Sequence, residues 1–229
     1  MKKYLFFLIL VSSIVYSQTM RQKIQQNVDE KKLSATEGLY LEALAFYSPE
    51  SLPANWQAQA IQTSKCGFGL NYRINHDWDA FNSNQKKVLQ SLLFRPDMPF
   101  SHISPLGLFK VHYDTTGYHA VNTLDVDHSG VPDYVEKVAV IMDSVYNLEV
   151  NTLGYNPPPS DLDHDGSEWD VYIRNIAYYG STDIDNQLSH NPDTYASYIY
   201  LDNNYTHTYT KGLDGLRVTA AHEFFHMIQ

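Results

Sequence analysis

The chain has 229 residues, 43% of them hydrophobic and 14% aromatic, with a formal net charge of −10 at pH 7. That composition excludes a disordered or low-complexity chain and suits one or two globular domains. The acidic balance, 26 Asp and Glu against 16 Lys and Arg, argues against nucleic acid as a partner and for solubility and cation binding.

Met1 to Ser17 reads as a secretory signal peptide. Lys2 and Lys3 precede an apolar run from Leu5 to Val15, and Val15-Tyr16-Ser17 offers a cleavage site before Gln18. The run is too short to span a bilayer, and no cysteine follows it for lipid attachment. The protein is therefore expected to be secreted, with no stable membrane anchor. Cys66 is the single cysteine, so an exported chain has no internal disulfide to staple it.

From Gln18 to Tyr47 an intermittent apolar stripe predicts one or two amphipathic helices with a break near Ser34. Pro49 to Ala58 reads as a loop, and a further helix is predicted from Asn84 to Phe94, ended by Arg95-Pro96. Residues 18–100 thus form a mostly helical N-terminal segment, a candidate pro-segment. Leu108 to Tyr113 alternates as a strand and runs into the turn Asp114-Thr115-Thr116-Gly117.

D-V-D-H-S-G-V-P-D-Y-V-E follows, Asp125 to Glu136. Asp125, Asp127, Ser129, the carbonyl of Val131, Asp133 and Glu136 have the ligand spacing of an EF-hand calcium loop, with Gly130 at the sharp turn. Pro132 and the lack of an entering helix depart from that pattern, so the expectation is a calcium loop leading into a helix. Without any metal, Asp133 and Glu136 also suit the positive N-terminus of that helix. The helix is predicted from Pro132 to Leu153, ended by Gly154 and Pro157-Pro158-Pro159. A second acidic loop, with Asp161, Asp163 and Asp165 ahead of Gly166, has the front half of the calcium pattern but Tyr172 where a bidentate Glu belongs. An exposed acidic turn explains it equally well. Calcium-tightened loops would compensate for the missing disulfides.

Two strands rich in β-branched and aromatic residues come next, Trp169 to Ile176 and Tyr195 to Leu201. Turns are expected between them at Tyr179-Gly180-Ser181 and Asn191-Pro192-Asp193. One of these strands is expected to form the sheet edge that pairs with an extended peptide.

The last stretch is a predicted apolar helix: Leu213, Leu216, Ala220 and Phe224 recur at three- or four-residue spacing, with Asp214-Gly215 as a turn and N-cap. It carries His222-Glu223-Phe224-Phe225-His226, an H-E-x-x-H. Four-residue spacing on a helix aims both imidazoles the same way, where they can hold one zinc ion. Glu223, offset around the helix, can reach a water bound to that ion.

F-K-V-H-Y-D-T-T-G, G-V-P-D-Y-V-E, D-V-Y-I-R-N, Y-I-Y-L-D-N and V-T-A-A-H-E-F-F-H-M-I-Q, spanning about Phe109 to Gln229, resemble secreted bacterial zinc metallopeptidases of the zincin type. The resemblance implies an α+β fold: a mixed sheet packed on the H-E-x-x-H helix, over residues 101–229. It also implies His222 and His226 as zinc ligands, Glu223 as general base and a protein or peptide as substrate. The family's third ligand would lie beyond Gln229, so the chain is expected to be the front of a longer protein and inactive by itself. Metzincins place Gly three residues after the second His; Gln229 stands there, which favours an acidic third ligand from a later helix. Cys66-Gly67 is similar to the cysteine switch of secreted zinc proteases, where a pro-segment thiolate fills the open metal position. A buried structural cysteine explains the same dipeptide. A different class stays open beside the peptidase: a secreted, calcium-stabilised binding module whose zinc helix is structural or inactive.

Overall fold

The structure is a computed structural model that describes residues 19–57, 66–160, 165–187 and 194–229. The expected signal peptide, Asp161 and Asp163 of the second acidic loop, and the Asn191-Pro192-Asp193 turn lie outside the described residues.

Capping sets the N-terminal helices. α1 (Met20–Asp29) and α2 (Ala35–Tyr47) each begin with a capping box, Thr19 with Gln22 and Ser34 with Glu37. The expected break near Ser34 is thus Ser34 satisfying an otherwise orphaned backbone N–H of the second helix. The stretch read as a loop after Pro49 instead holds a 3-10 turn, Pro49–Ser51, and a short helix, α3 (Ala54–Gln57), which buries Trp56. Proline at a first helical position gives up no needed donor, and here it opens a turn rather than breaking one. α4 (Phe68–His76) was not foreseen: Gly67 at its N-cap provides no side-chain hydrogen bond. α5 (Ser83–Leu93) follows Asn82, whose side chain accepts from Asn84 and Gln85.

The sheet has five strands: β1 (Phe100–Ile103), β2 (Phe109–Tyr113), β3 (Trp169–Arg174), β4 (Gly180–Gln187) and β5 (Tyr195–Asp202), in the order β1-β2-β3-β5-β4. β2, β3 and β5 run parallel, and the two edge strands pair antiparallel to their neighbours. Two expectations are corrected here. The segment from Gly180 is strand β4, not a turn. Neither aromatic strand is an edge: β3 and β5 are interior, and their nearly continuous apolar and aromatic character reflects burial on both faces.

On one face, Phe109, Val111, Val171, Ile173, Ile199 and Leu201 join Val135, Val138 and Met142 of α6 (Asp133–Tyr146) and Leu216, Ala220 and Phe224 of α7 (Gly212–Ile228) in one core. α6 passes into a π-helical turn over Asn147–Thr152, which accounts for the longer helix expected there. α7 starts at Gly212 after Lys211, so Asp214 and Gly215 sit inside its first turns rather than capping it. The opposite face carries Tyr172, Tyr198 and Tyr200. There the Tyr198 hydroxyl donates to the carbonyl of Leu93, and the Tyr200 hydroxyl donates to that of Phe94 at 3.1 Å. The fold is therefore α+β, a mixed five-stranded sheet with seven α-helices among the described residues. No described helix is long and apolar enough to cross a membrane.

Arg95 ties the helical N-terminal segment to this sheet. Its guanidinium, 6% exposed, bonds the carboxylate of Asp170 in β3 and that of Asp185 in β4, and lies 4.9 Å over the ring of Tyr198. Asp170 is 1% exposed and also bonds His112 at 2.7 Å. Removing the guanidinium leaves a buried carboxylate without its main counter-charge. Arg95→Ala should therefore lose about 3–5 kcal/mol of stability, measured by urea unfolding, whereas an exposed-pair variant such as Arg217→Ala should lose less than about 1 kcal/mol.

Candidate metal centre

α7 places His222 and His226 one turn apart, and the structure brings their Nε2 atoms to 3.1 Å with the rings nearly perpendicular. His226 Nδ1 lies 2.7 Å from Gln229 Oε1. An amide oxygen only accepts, so Nδ1 carries the proton and Nε2 presents its lone pair toward His222. Burial lowers the pKa of His226 and keeps the imidazole neutral, as a metal ligand must be. Phe68 of α4 stacks on the same ring at 4.4 Å, an interplanar angle of 11°.

Cys66 Sγ lies 3.4 Å from His226 Nε2. Among the described residues, Cys66, His222 and His226 form a group whose ligand atoms all fall within 4.8 Å of one another. A tetrahedral zinc ion with nitrogen at ~2.0–2.1 Å and sulfur at ~2.3 Å sets its ligand atoms about 3.3–3.6 Å apart. The residues present therefore fit zinc. Without a cation, the single lone pair of His226 Nε2 faces both a thiol and a second imidazole.

Glu223 is fully buried on the β4 side of α7. The Thr182 hydroxyl donates to its backbone carbonyl at 2.7 Å and to Oε2 at 3.0 Å. Cys66 Sγ stands 3.9 Å from the same Oε2, whereas Oε1 has no hydrogen-bond partner. Burial pushes the Glu223 carboxyl up to about 8; the Thr182 hydroxyl opposes that and the nearby Asp183 carboxylate adds to it. Burial, with the charge of Glu223, likewise pushes the Cys66 thiol up to about 12.

Two glycines make this packing possible. A Cβ at Gly180 would stand 2.5 Å from Thr219 Cγ2, 2.9 Å from the carbonyl of Tyr200 and 3.0 Å from Glu223 Cγ. A Cβ at Gly67 would meet Ser181 Oγ at 2.5 Å and the ring of Phe46 at 2.8 Å. The chain at Cys66 bridges to Gly180 of β4, and Gly180 packs directly against the Thr219 and Glu223 side chains of α7. The dipeptide Cys66-Gly67 was visible in the sequence; the need for its glycine was not.

The calcium expectations divide. Carboxylate oxygens of Asp125, Asp127 and Asp133 gather within 4.8 Å. The loop turns through positive φ at Gly130, as the spacing expects, and also at His128. Asp125 accepts from the backbone N–H of Ser129 and Gly130, and Asp133 from that of Val126. Glu136, expected as the closing ligand, is not part of that acidic group and stands in the first turn of α6. Ser129 Oγ donates to the carbonyl of Val131, so those two expected ligands bond each other. Asp165 is paired with Lys110 at 2.8 Å beside the buried His112–Asp170 pair. Asp165, His112 and Asp170 also form a group whose ligand-type atoms lie within 4.8 Å of one another.

Asp183, which the sequence did not single out, is buried beneath the site. It accepts from Ser181 and, at 3.3 Å, from the Tyr47 hydroxyl, with Oδ2 unpartnered. Burial pushes its carboxyl up to about 7 against hydrogen bonds from Ser181 and Tyr47 that lower it. A carboxyl whose pKa rises on folding binds its proton more tightly in the native state, so its contribution to stability is lost as pH rises from about 4 to about 7. Asp183→Asn should remove that slope: the stability difference between variant and wild type, from urea unfolding, should grow in the variant's favour across that range. Gly180→Ala should lose about 1–3 kcal/mol by overpacking in the same measurement. No family model, curated protein or solved structure matches this chain.

Proposed function

We propose that the protein is a secreted zinc-dependent endopeptidase of the zincin type. The carrying observation is the convergence of His222 and His226 Nε2, 3.1 Å apart, beside the buried carboxylate of Glu223. His222 and His226 would hold the metal. Zinc bound there would supply a Lewis acid that lowers the pKa of a water and polarises a scissile carbonyl. Glu223, whose Oε2 is oriented by Thr182 and faces Cys66 Sγ at 3.9 Å, would take a proton from the attacking water and return it to the leaving amine. Edge strand β4, beside α7, would pair with an extended peptide where its outer edge is vacated. Export follows from the leader pattern at Met1 to Ser17.

One observation favours the alternative of a closed, structural zinc site in a binding module: Cys66 is a third ligand-type group within reach. The two readings differ at Glu223, which only a hydrolase needs. In the secreted protein, Glu223→Gln should leave zinc content unchanged by metal analysis and lower hydrolysis of a denatured protein substrate about 10²–10⁴-fold. His222→Ala and His226→Ala should lose the zinc. Equal hydrolysis by wild type and Glu223→Gln would contradict the peptidase reading.

For the loop of Asp125, Asp127 and Asp133 we propose calcium, held with backbone carbonyls and water in place of Glu136. At a hundredfold excess over its Kd, calcium should add about 2.7 kcal/mol. The resulting rise of several degrees in Tm should be absent in Asp127→Asn. An unchanged Tm in calcium and in chelator would refute the assignment.

A further inference from the structure

Cys66 is held in place by contacts that resemble those of a bound peptide. It forms a parallel bridge to Gly180, the first residue of edge strand β4. Four residues further along that edge, the N–H of Ile184 donates to the side-chain carbonyl of the fully buried Asn71 at 2.9 Å. Backbone groups on the outer edge of β4 are therefore engaged by the chain's own residues, from the bridge through α4.

α4 also stands between two cavities that both reach His226. One, of about 540 Å³, is lined by Phe46, Cys66, Leu70, Tyr178 and His222. The other, of about 520 Å³, is lined by Phe68, Tyr72, Tyr195 and Gln229. Leu70 and Phe68 lie on different faces of α4, so the helix separates the two cavities, which both reach His226. Cys66 Sγ lies within ligand distance of His226, while Oε1 of the buried Glu223 beside it has no partner.

We propose that in the intact chain the Cys66 sulfur ligates the metal held by His222 and His226 in the position a catalytic water would take, and that residues 66–72 fill the place of a peptide substrate. This rests on the metallopeptidase reading and adds its regulation. On metal binding the thiol releases its proton to solvent and the sulfur lone pair forms the new bond. Displacing the segment frees that coordination position, Glu223 Oε2 and the edge of β4 together.

The test uses the intact chain with cobalt(II) or zinc. Cobalt should give a thiolate charge-transfer absorption that Cys66→Ser lacks, and stoichiometric zinc should slow iodoacetamide alkylation of Cys66 at least about tenfold. His222→Ala and His226→Ala should abolish that protection. In Cys66→Ala, acetohydroxamate should perturb the cobalt spectrum, and in wild type it should not. If the metal binds through both histidines but Cys66 alkylates equally fast with and without it, the inference is overturned and the peptidase reading stands. If acetohydroxamate leaves Cys66→Ala as unperturbed as wild type, the substrate-place part is overturned. If no metal binds the histidine pair, both fail.

Discussion

The burial of one carboxylate between a strand and a helix constrains the rest of the structure. Glu223 is fully buried where β4 packs against α7, and that close approach requires a glycine at 180. Thr182 then fixes both the helix backbone and the carboxylate through one hydroxyl. On the same helix His222 is exposed and His226 half-buried, outside the apolar core. The same glycine residue is where the Cys66 segment pairs with the strand. A buried carboxyl with one oxygen unpartnered costs stability, and groups of this kind cluster at functional sites.

The N-terminal helices are built into the molecule at several points. Arg95 bridges two strands, Tyr198 and Tyr200 bond the end of α5, and Asn71 of α4 bonds β4. These contacts are polar and directional, and the apolar clusters of the N-terminal helices are separate from the core beneath the sheet. A segment held this way can keep a defined position over the site while carrying its own small cores.

The helix of the H-E-x-x-H was legible because a single periodicity decides both its burial and the alignment of its two imidazoles. The parallel strands were legible for a related reason: residues buried on both faces read as unbroken apolar and aromatic runs. β4 was not, because Gly-Ser-Thr-Asp-Ile-Asp-Asn-Gln contains one apolar residue and opens with a glycine that looks like a turn. Its place depends on pairing with β5 and on Thr182, Asp183 and Ile184 finding partners far away in the chain. α4 was missed for want of a capping side chain. Which face Cys66 would meet was beyond local pattern, since its neighbours at the metal centre are about 160 residues away.

X-ray absorption at the zinc edge of the metal-loaded intact chain tests the centre most directly. Two imidazole nitrogens at about 2.0–2.1 Å and one sulfur at about 2.3 Å are the predicted shell, with the sulfur lost in Cys66→Ser and the imidazole signature lost in His222→Ala. A shell of oxygens alone, or one unaffected by His222→Ala, would contradict it.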